Sequence, residues 1–167
     1  PWLPEIKKAV AQEDLSKRLH TLGSLSGPLL VSAYRAMDIF AFASQTETQG
    51  MVVTESMAAG TPVIAVDASG VREVVNDGRN GYLLPREDDQ LFADALSRYA
   101  DLSQKAREEF RGAALDTARK FSMQSCAEKA LALFNQTIEE GSNKALDEDT
   151  PWALAMDRAR AEWDLIA

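Results

Sequence analysis

Two continuous apolar runs of strand length constrain the fold of this chain more than any other feature. They are Ile39–Ala43 and Pro62–Val66, and such runs are typical of strands buried on both faces of a parallel sheet. A helical pattern over Gly50–Ala59 lies between them, and Gly60 is placed as its C-terminal cap. The spacing fits a right-handed βαβ crossover. We therefore predict an α/β fold with an open parallel sheet flanked by helices.

Further strands and helices extend this alternation toward both ends of the chain. Before the first apolar run, the patterns predict a helix at Pro4–Glu13, a short strand at Arg18–Leu22 and a helix at Leu29–Met37. After the second run, they predict a short helix at Val71–Val75 and a strand at Tyr82–Leu84. This order of elements is typical of a Rossmann-like domain.

The second half of the chain is predicted to be helical. Residues 86–140 have the patterns of three amphipathic helices, and Cys126 lies on the apolar face of the last one, where we expect a packed thiol. Residues 141–150 are polar, and residues 151–167 carry an apolar stripe. We therefore predict a Rossmann-like domain over residues 1–140, a linker over 141–150 and a C-terminal amphipathic helix over 151–167.

Composition and charge exclude several classes of function. The 167 residues include 18 Lys and Arg against 26 Asp and Glu, for a net charge of −8, and an acidic chain without a basic stripe is a poor nucleic-acid binder. No apolar run approaches the roughly 20 residues that a membrane-spanning helix needs. The single cysteine excludes an internal disulfide and a cysteine-based metal cluster. Because we find no signal-peptide pattern, we expect a cytoplasmic location.

A polar loop and the helix start that follows it form the candidate site. In open α/β sheets ligands bind at the carboxyl ends of the strands, and the segment Ser44–Gly50 follows the first apolar run there. The N–H groups and the dipole of the helix start favour an anion such as phosphate. Glu47 in the loop and Glu55 in the helix are carboxylates suited to accept hydrogen bonds from sugar hydroxyls. From the residues alone, a second interpretation is equally good: Glu47 is an ordinary acid of a loop, and Glu55 is a solvated acid on the surface of a helix.

The stretch Ser44–Pro85 resembles the signature of the family-4 (group 1) retaining glycosyltransferases. It reads SQTETQGMVVTESMAAGTPVIAVDASGVREVVNDGRNGYLLP, and its two acids, its glycine and the motifs that follow occur in the family's order and spacing. The resemblance covers about residues 3–135. It implies a GT-B fold, in which two Rossmann-like domains face a cleft and the C-terminal domain holds most of the nucleotide-sugar. This chain is expected to correspond to that C-terminal half.

On this resemblance, the loop and the helix start hold the sugar and the diphosphate of the donor. Glu47 matches the acid that contacts donor-sugar hydroxyls near the reacting carbon, and it is the candidate catalytic residue. Gly50, Met51 and Val52 match positions whose backbone N–H groups meet the sugar and the diphosphate. The chain departs from the commonest family form at Thr48-Gln49, where many members have Gly-Phe. We expect this change to affect the shape of the loop or the choice of donor.

The same resemblance implies where the nucleoside binds. Glu55 matches the acid that binds the ribose hydroxyls, whereas Ser24 and Leu25 match the loop that holds the base. The donor implied is a UDP-, GDP- or ADP-sugar. No cofactor and no metal are expected, because the family uses none and a helix start with backbone N–H donors is suited to stabilise the leaving diphosphate.

The function implied is transfer of a hexose, with retention and without a metal, to a glycan, lipid or small acceptor. The family's diphosphate-binding Arg/Lys pair and its acceptor site precede the region matched here. We therefore expect an N-terminal GT-B domain as partner, with peripheral membrane contact through that domain left open, and an inactive isolated chain. One alternative is a non-catalytic nucleotide or nucleotide-sugar binding module, and another is a different GT-B activity such as a sugar phosphorylase.

Overall fold

The chain divides into two compact units, Pro1–Leu115 and Asp116–Ala167. Its structure is a computed structural model that describes residues 3–46 and 50–144, with side chains as far as residue 140. The predicted helix at 151–167 and the rest of the predicted linker after residue 144 lie outside the described residues.

Strands and helices alternate through the first unit, and helices continue into the second. The strands are β1 (Phe40–Phe42), β2 (Val63–Val66) and β3 (Gly81–Leu84). The helices are α1 (Leu3–Gln12), α2 (Gly27–Ala36), α3 (Met51–Ala58), α4 (Ser69–Arg72), α5 (Asp89–Ala100), α6 (Gln104–Lys120) and α7 (Met123–Lys144). The last of these reaches into the segment that the sequence predicted as a linker, so residues 141–144 are helical.

The three strands form a parallel sheet in the order β1-β2-β3. Helix α3 connects β1 to β2, and α4 connects β2 to β3, as expected for parallel neighbours that need a crossover. All four residues of β2 are buried, because this strand is paired on both sides. The predicted parallel α/β sheet with flanking helices is confirmed, and so is the burial predicted for the run Pro62–Val66.

Two sequence predictions at the edge of this sheet were wrong. The first apolar run was expected to be buried on both faces, but Ala41 is exposed and its two neighbours in β1 are half-buried. The expected strand at Arg18–Leu22 is instead a 3₁₀ turn over Ser16–Arg18 followed by irregular chain. A strand needs a backbone partner, and no described strand lies beside this segment.

Aromatic side chains link the sheet to the helices that follow it. The ring of Phe110 on α6 lies 5.6 Å from the ring of Tyr82 on β3 and 6.0 Å from the ring of Tyr99 on α5. The side chains of this core are buried and come from two strands and two helices: Ile64, Tyr82, Leu84, Ala95, Tyr99 and Phe110. The helices thereby cover one face of the sheet and fix the positions of the strand ends.

A buried asparagine organises the turn between α4 and β3. The Asn80 side chain is only 1% exposed, and its Nδ2 donates a 3.0 Å hydrogen bond to the carbonyl of Val74. Its Oδ1 accepts a 2.7 Å bond from the backbone N–H of Asn76. Since an unpaired buried amide would destabilise the fold, these bonds explain how an asparagine is accommodated in the core.

The prediction of a packed thiol in the second unit was wrong. Cys126 is exposed, and so are Leu131, Phe134 and Ile138 on the same predicted apolar face of α7. The periodicity of a helix shows which face is apolar, but it does not show which element covers that face.

Candidate functional site

The loops that follow the three parallel strands meet at the carboxyl edge of the sheet. Residues 43–50 lead from β1 into α3, residues 67–68 lead from β2 into α4, and residues 85–88 lead from β3 into α5. Because the strands are parallel and adjacent, these loops are neighbours, and this edge is where open α/β sheets bind ligands.

Gly50 fixes the start of α3 against α4. Its backbone is left-handed, with φ of 62°, a conformation that favours glycine. A Cβ at this position would lie 2.5 Å from the carbonyl oxygen of Gly70 and 3.6 Å from Cγ2 of Val74. The missing side chain of Gly50 therefore makes space for the backbone of α4.

The first turn of α3 presents backbone donors at the edge of the sheet. The backbone N–H of Thr54 bonds to the carbonyl of Gly50 at 2.9 Å, which begins the helical hydrogen-bond pattern. The N–H groups of Met51 and Val52 precede it and have no acceptor within the helix, as at every helix start. Met51 is exposed and Val52 is half-buried, so these donors and the helix dipole are suited to an anion.

Glu55 lies one turn further along α3 and interacts with a buried tyrosine, Tyr34. Tyr34, near the end of α2, is 7% exposed, and burial raises the pKa of its hydroxyl, as do the charge of Glu55 and the hydrogen bond between the two side chains. Because a tyrosine is protonated at neutral pH, Tyr34 is the donor in this interaction and the carboxylate of Glu55 is the acceptor. A carboxylate has about four acceptor sites, so the exposed Glu55 keeps capacity for further donors.

The tyrosine partner of Glu55 is itself held by the turn after α3. The hydroxyl of Thr61 donates a 2.7 Å hydrogen bond to the carbonyl of Tyr34, and Ser56 on α3 donates a 3.0 Å bond to the carbonyl of Thr61. These groups are buried. These bonds hold the backbone at Tyr34 against the turn after α3, and the spacing of residues in the sequence gave no indication of the Tyr34 contact.

Two further polar contacts lie in the segments that follow the strands. Nε2 of Gln45, after β1, donates a 2.9 Å hydrogen bond to Oε2 of Glu87, after β3. After β2, Nε of Arg72 lies 2.7 Å from Oδ1 of Asp67 in an exposed ion pair. From the sequence, Gln45 was a candidate only as part of the loop Ser44–Gly50, and Glu87 was not a candidate.

The predicted site residues that the structure describes lie near the starts of two helices, α3 and α2. Gly50, Met51, Val52 and Glu55 lie along the first turns of α3. Ser24, which is exposed, and the half-buried Leu25 precede the opposite end of α2 from Tyr34, roughly 10 Å or more along the helix axis at 1.5 Å per residue. Glu47 lies outside the described residues.

The described residues hold no group of three or more acidic, histidine or cysteine side chains placed to bind a metal ion. Over the same residues, every helix is too short or too polar to cross a membrane.

Comparison with known proteins identifies relatives of this chain. Residues 1–116 match the family model of the glycosyl transferases group 1. The D-inositol 3-phosphate glycosyltransferase of Saccharomonospora viridis is 34% identical over 121 residues, which are 72% of this chain and 28% of the relative. The enzyme of that name from Corynebacterium glutamicum is 33% identical over 148 residues, 88% of this chain and 34% of the relative. The chain thus spans about a third or less of these relatives.

Solved structures share the fold of the chain. The C-terminal domain of a group 1 glycosyl transferase from Francisella tularensis superposes with a TM-score of 0.64 at 30% identity, covering 72% of this chain and 62% of that domain. Anabaena HepE, solved with UDP and glucose, superposes with a TM-score of 0.70 at 23% identity over 81% of this chain and 36% of its own, and this likeness concerns the fold alone. The chain belongs to the group 1 glycosyl transferases, and its fold is that of the C-terminal, Rossmann-like domain of a GT-B enzyme.

Proposed function

We propose that this chain is the donor-binding part of a retaining glycosyltransferase that takes its sugar from a nucleotide-sugar. Family membership gives the reaction class. The donor site is supported by one observation: Glu55 and the backbone N–H groups at the helix start belong to the same short helix, α3, at the carboxyl edge of the sheet. Glu55 accepts hydrogen bonds from the ribose hydroxyls, and the N–H groups of Met51 and Val52 bind the diphosphate.

The charges that develop during transfer suit this arrangement. Negative charge grows on the leaving diphosphate, where the dipole of α3 and its backbone donors stabilise it without a metal ion. Positive charge grows at the anomeric carbon of the sugar, and we assign the carboxylate of Glu47 to the sugar on the basis of the family signature. The donors are UDP-, GDP- and ADP-sugars, and the acceptor is bound by an N-terminal GT-B domain.

One of three nucleotide-sugars is expected to stabilise the chain, and Glu55→Ala is expected to remove about half of that effect or more. At 100 times the Kd, a bound ligand adds about 2.7 kcal/mol to the free energy of unfolding, which raises the Tm of a chain of this size by about 5–10 °C. Loss of the charge-assisted bonds to the ribose weakens binding about tenfold or more. The measurement is thermal unfolding with UDP-glucose, GDP-mannose and ADP-glucose.

Two further variants separate the role of Glu55 from unspecific effects. Glu55→Gln keeps an oxygen that accepts from Tyr34 and removes the charge, so it is expected to bind more weakly than the wild type and more strongly than Glu55→Ala. Glu109→Ala removes an exposed charge from α6, away from the strand ends, and is expected to bind like the wild type. Equal stabilisation of all four proteins would contradict the assignment of Glu55 to the ribose.

The isolated 167-residue chain is expected to bind its donor but not to transfer the sugar. The matched relatives are about two and a half times as long as this chain, and the acceptor site is assigned to a domain that this chain does not contain. A radiometric transfer assay with the donor that stabilises the chain tests this expectation, and turnover above the rate of spontaneous hydrolysis would contradict it. If an extended protein with an N-terminal α/β domain also fails to transfer, a non-catalytic binding module becomes the better assignment.

A further inference from the structure

An apolar stripe on α7 is exposed in the part of the chain that the structure describes. Leu131, Phe134 and Ile138 recur at intervals of three and four residues, so they lie along one face of the helix. Their exposed fractions are 62%, 63% and 65%. Single exposed apolar side chains are ordinary, whereas a continuous line of large ones is typical of a contact surface. These three residues form the α7 stripe.

A second stripe with the same spacing follows a short distance later in the sequence. Residues 151–167 carry apolar side chains at intervals of four and three residues: Trp152, Met156, Ala159, Trp163 and Ile166. This is the heptad spacing of helices that pack side by side. The second stripe lies outside the described residues, and its pattern comes from the sequence.

The length of chain between the two stripes determines how they can meet. Helix α7 ends at Lys144, and the six residues 145–150 separate it from the second stripe. Connections of about 2–8 residues join helices that lie side by side in opposite directions. A helix of 17 residues is about 25 Å long at 1.5 Å per residue. It would therefore reach back along α7 to about Ala127 and extend over the whole α7 stripe.

We propose that residues 151–167 fold back on α7 of the same chain and that the α7 stripe is their docking surface. The antiparallel arrangement sets three facing pairs: Leu131 with Trp163, Phe134 with Ala159, and Ile138 with Met156. A small residue then faces the phenylalanine, as interdigitated packing requires. The contact removes both apolar stripes from water. It is independent of the donor site, so its test needs no nucleotide.

Paired cysteines test the contact and its register directly. Ile138→Cys with Met156→Cys, in a Cys126→Ser background, is expected to form a disulfide within one chain on mild oxidation, because facing positions bring two Cα atoms within the roughly 7 Å that a disulfide needs. Leu133→Cys with Met156→Cys is the matched control. Leu133 is as exposed as Leu131, at 62%, but at about 100° per residue it lies almost on the opposite side of α7.

Non-reducing electrophoresis with peptide mapping measures the yield of each disulfide. The first pair is expected to give several-fold more intramolecular disulfide than the control pair. Equal yields from the two pairs, or none from either, would overturn the proposal. A disulfide that joins two chains would also overturn it, because a second copy would then cover the α7 stripe.

Hydrogen exchange tests the same contact without introduced cysteines. A helix of 17 residues is only marginally stable alone in water, so slow exchange at residues 155–167 requires packing. Leu131→Glu is expected to speed this exchange about tenfold or more. Leu133→Glu places the same charge on the other side of α7 and is expected to stay within about twofold of the wild type.

The amides of α5 are the internal control, and both variants are expected to leave their exchange unchanged. Wild-type exchange at residues 155–167 as fast as in an unstructured peptide would contradict the docking of this segment. Equal effects of Leu131→Glu and Leu133→Glu would contradict the assignment of the α7 stripe as its surface.

Discussion

Gly81→Ala is expected to push β3 away from β2 and to lower the free energy of unfolding of the first unit strongly. Gly81 stands opposite Val63 in the parallel ladder, and a Cβ at Gly81 would collide with the carbonyl oxygen of Val63 and lie 3.0 Å from its carbonyl carbon. Neither strand has space to move aside, since Val63 is fully buried. A backbone clash of this kind costs about 3 kcal/mol or more, a large part of the roughly 5–15 kcal/mol that stabilises a domain.

Urea unfolding followed by far-UV circular dichroism measures this effect, and Gly112→Ala is a matched control. Gly112 lies in α6 with no atom within 4 Å of the position of a Cβ, so alanine there is expected to add about 0.5–1 kcal/mol by favouring the helix. The same substitution thus moves the unfolding midpoint in opposite directions at the two sites. A Gly81→Ala variant as stable as the wild type would show that β3 does not approach β2 as closely as described.

Elements whose signals are local were predictable from the sequence. The continuous apolar run of β2 and the helical pattern of α3 both appear in the structure within one or two residues of their predicted bounds. Gly60 has the left-handed backbone expected of a helix C-cap, with φ of 83°. In each case the residues that determine the conformation are neighbours in the chain.

Features that depend on distant partners were not predictable in the same way. Whether the run Ile39–Ala43 is buried, or whether Arg18–Leu22 pairs as a strand, depends on what lies beside it, and the pattern of a segment does not contain that information. The same holds at the site. Glu55 was identified as a candidate from its position in a motif, but its bond to Tyr34 and the contact of Gln45 with Glu87 join residues that are far apart in sequence.

Gly50→Ala is expected to damage the fold and the donor site together. Alanine at Gly50 would have to adopt a left-handed φ of 62° and to place its Cβ 2.5 Å from the carbonyl oxygen of Gly70. The first turn of α3 must then move away from α4, and the N–H groups of Met51 and Val52 move with it. We expect a loss of more than about 2 kcal/mol in the free energy of unfolding and at least about tenfold weaker binding of the nucleotide that stabilises the wild type.

Gly78→Ala separates the two causes of this loss. Gly78 has a similar left-handed φ of 71° but no atom within 4 Å of a Cβ, so alanine there retains the backbone strain, about 1 kcal/mol, without the collision. It is expected to be mildly destabilised and to bind the nucleotide as the wild type does, in parallel urea and thermal-shift measurements. If Gly50→Ala is no more destabilised than Gly78→Ala and binds equally well, then the contact between Gly50 and Gly70 does not hold the start of α3. If Gly50→Ala loses stability but keeps its affinity, the backbone donors of α3 do not bind the diphosphate.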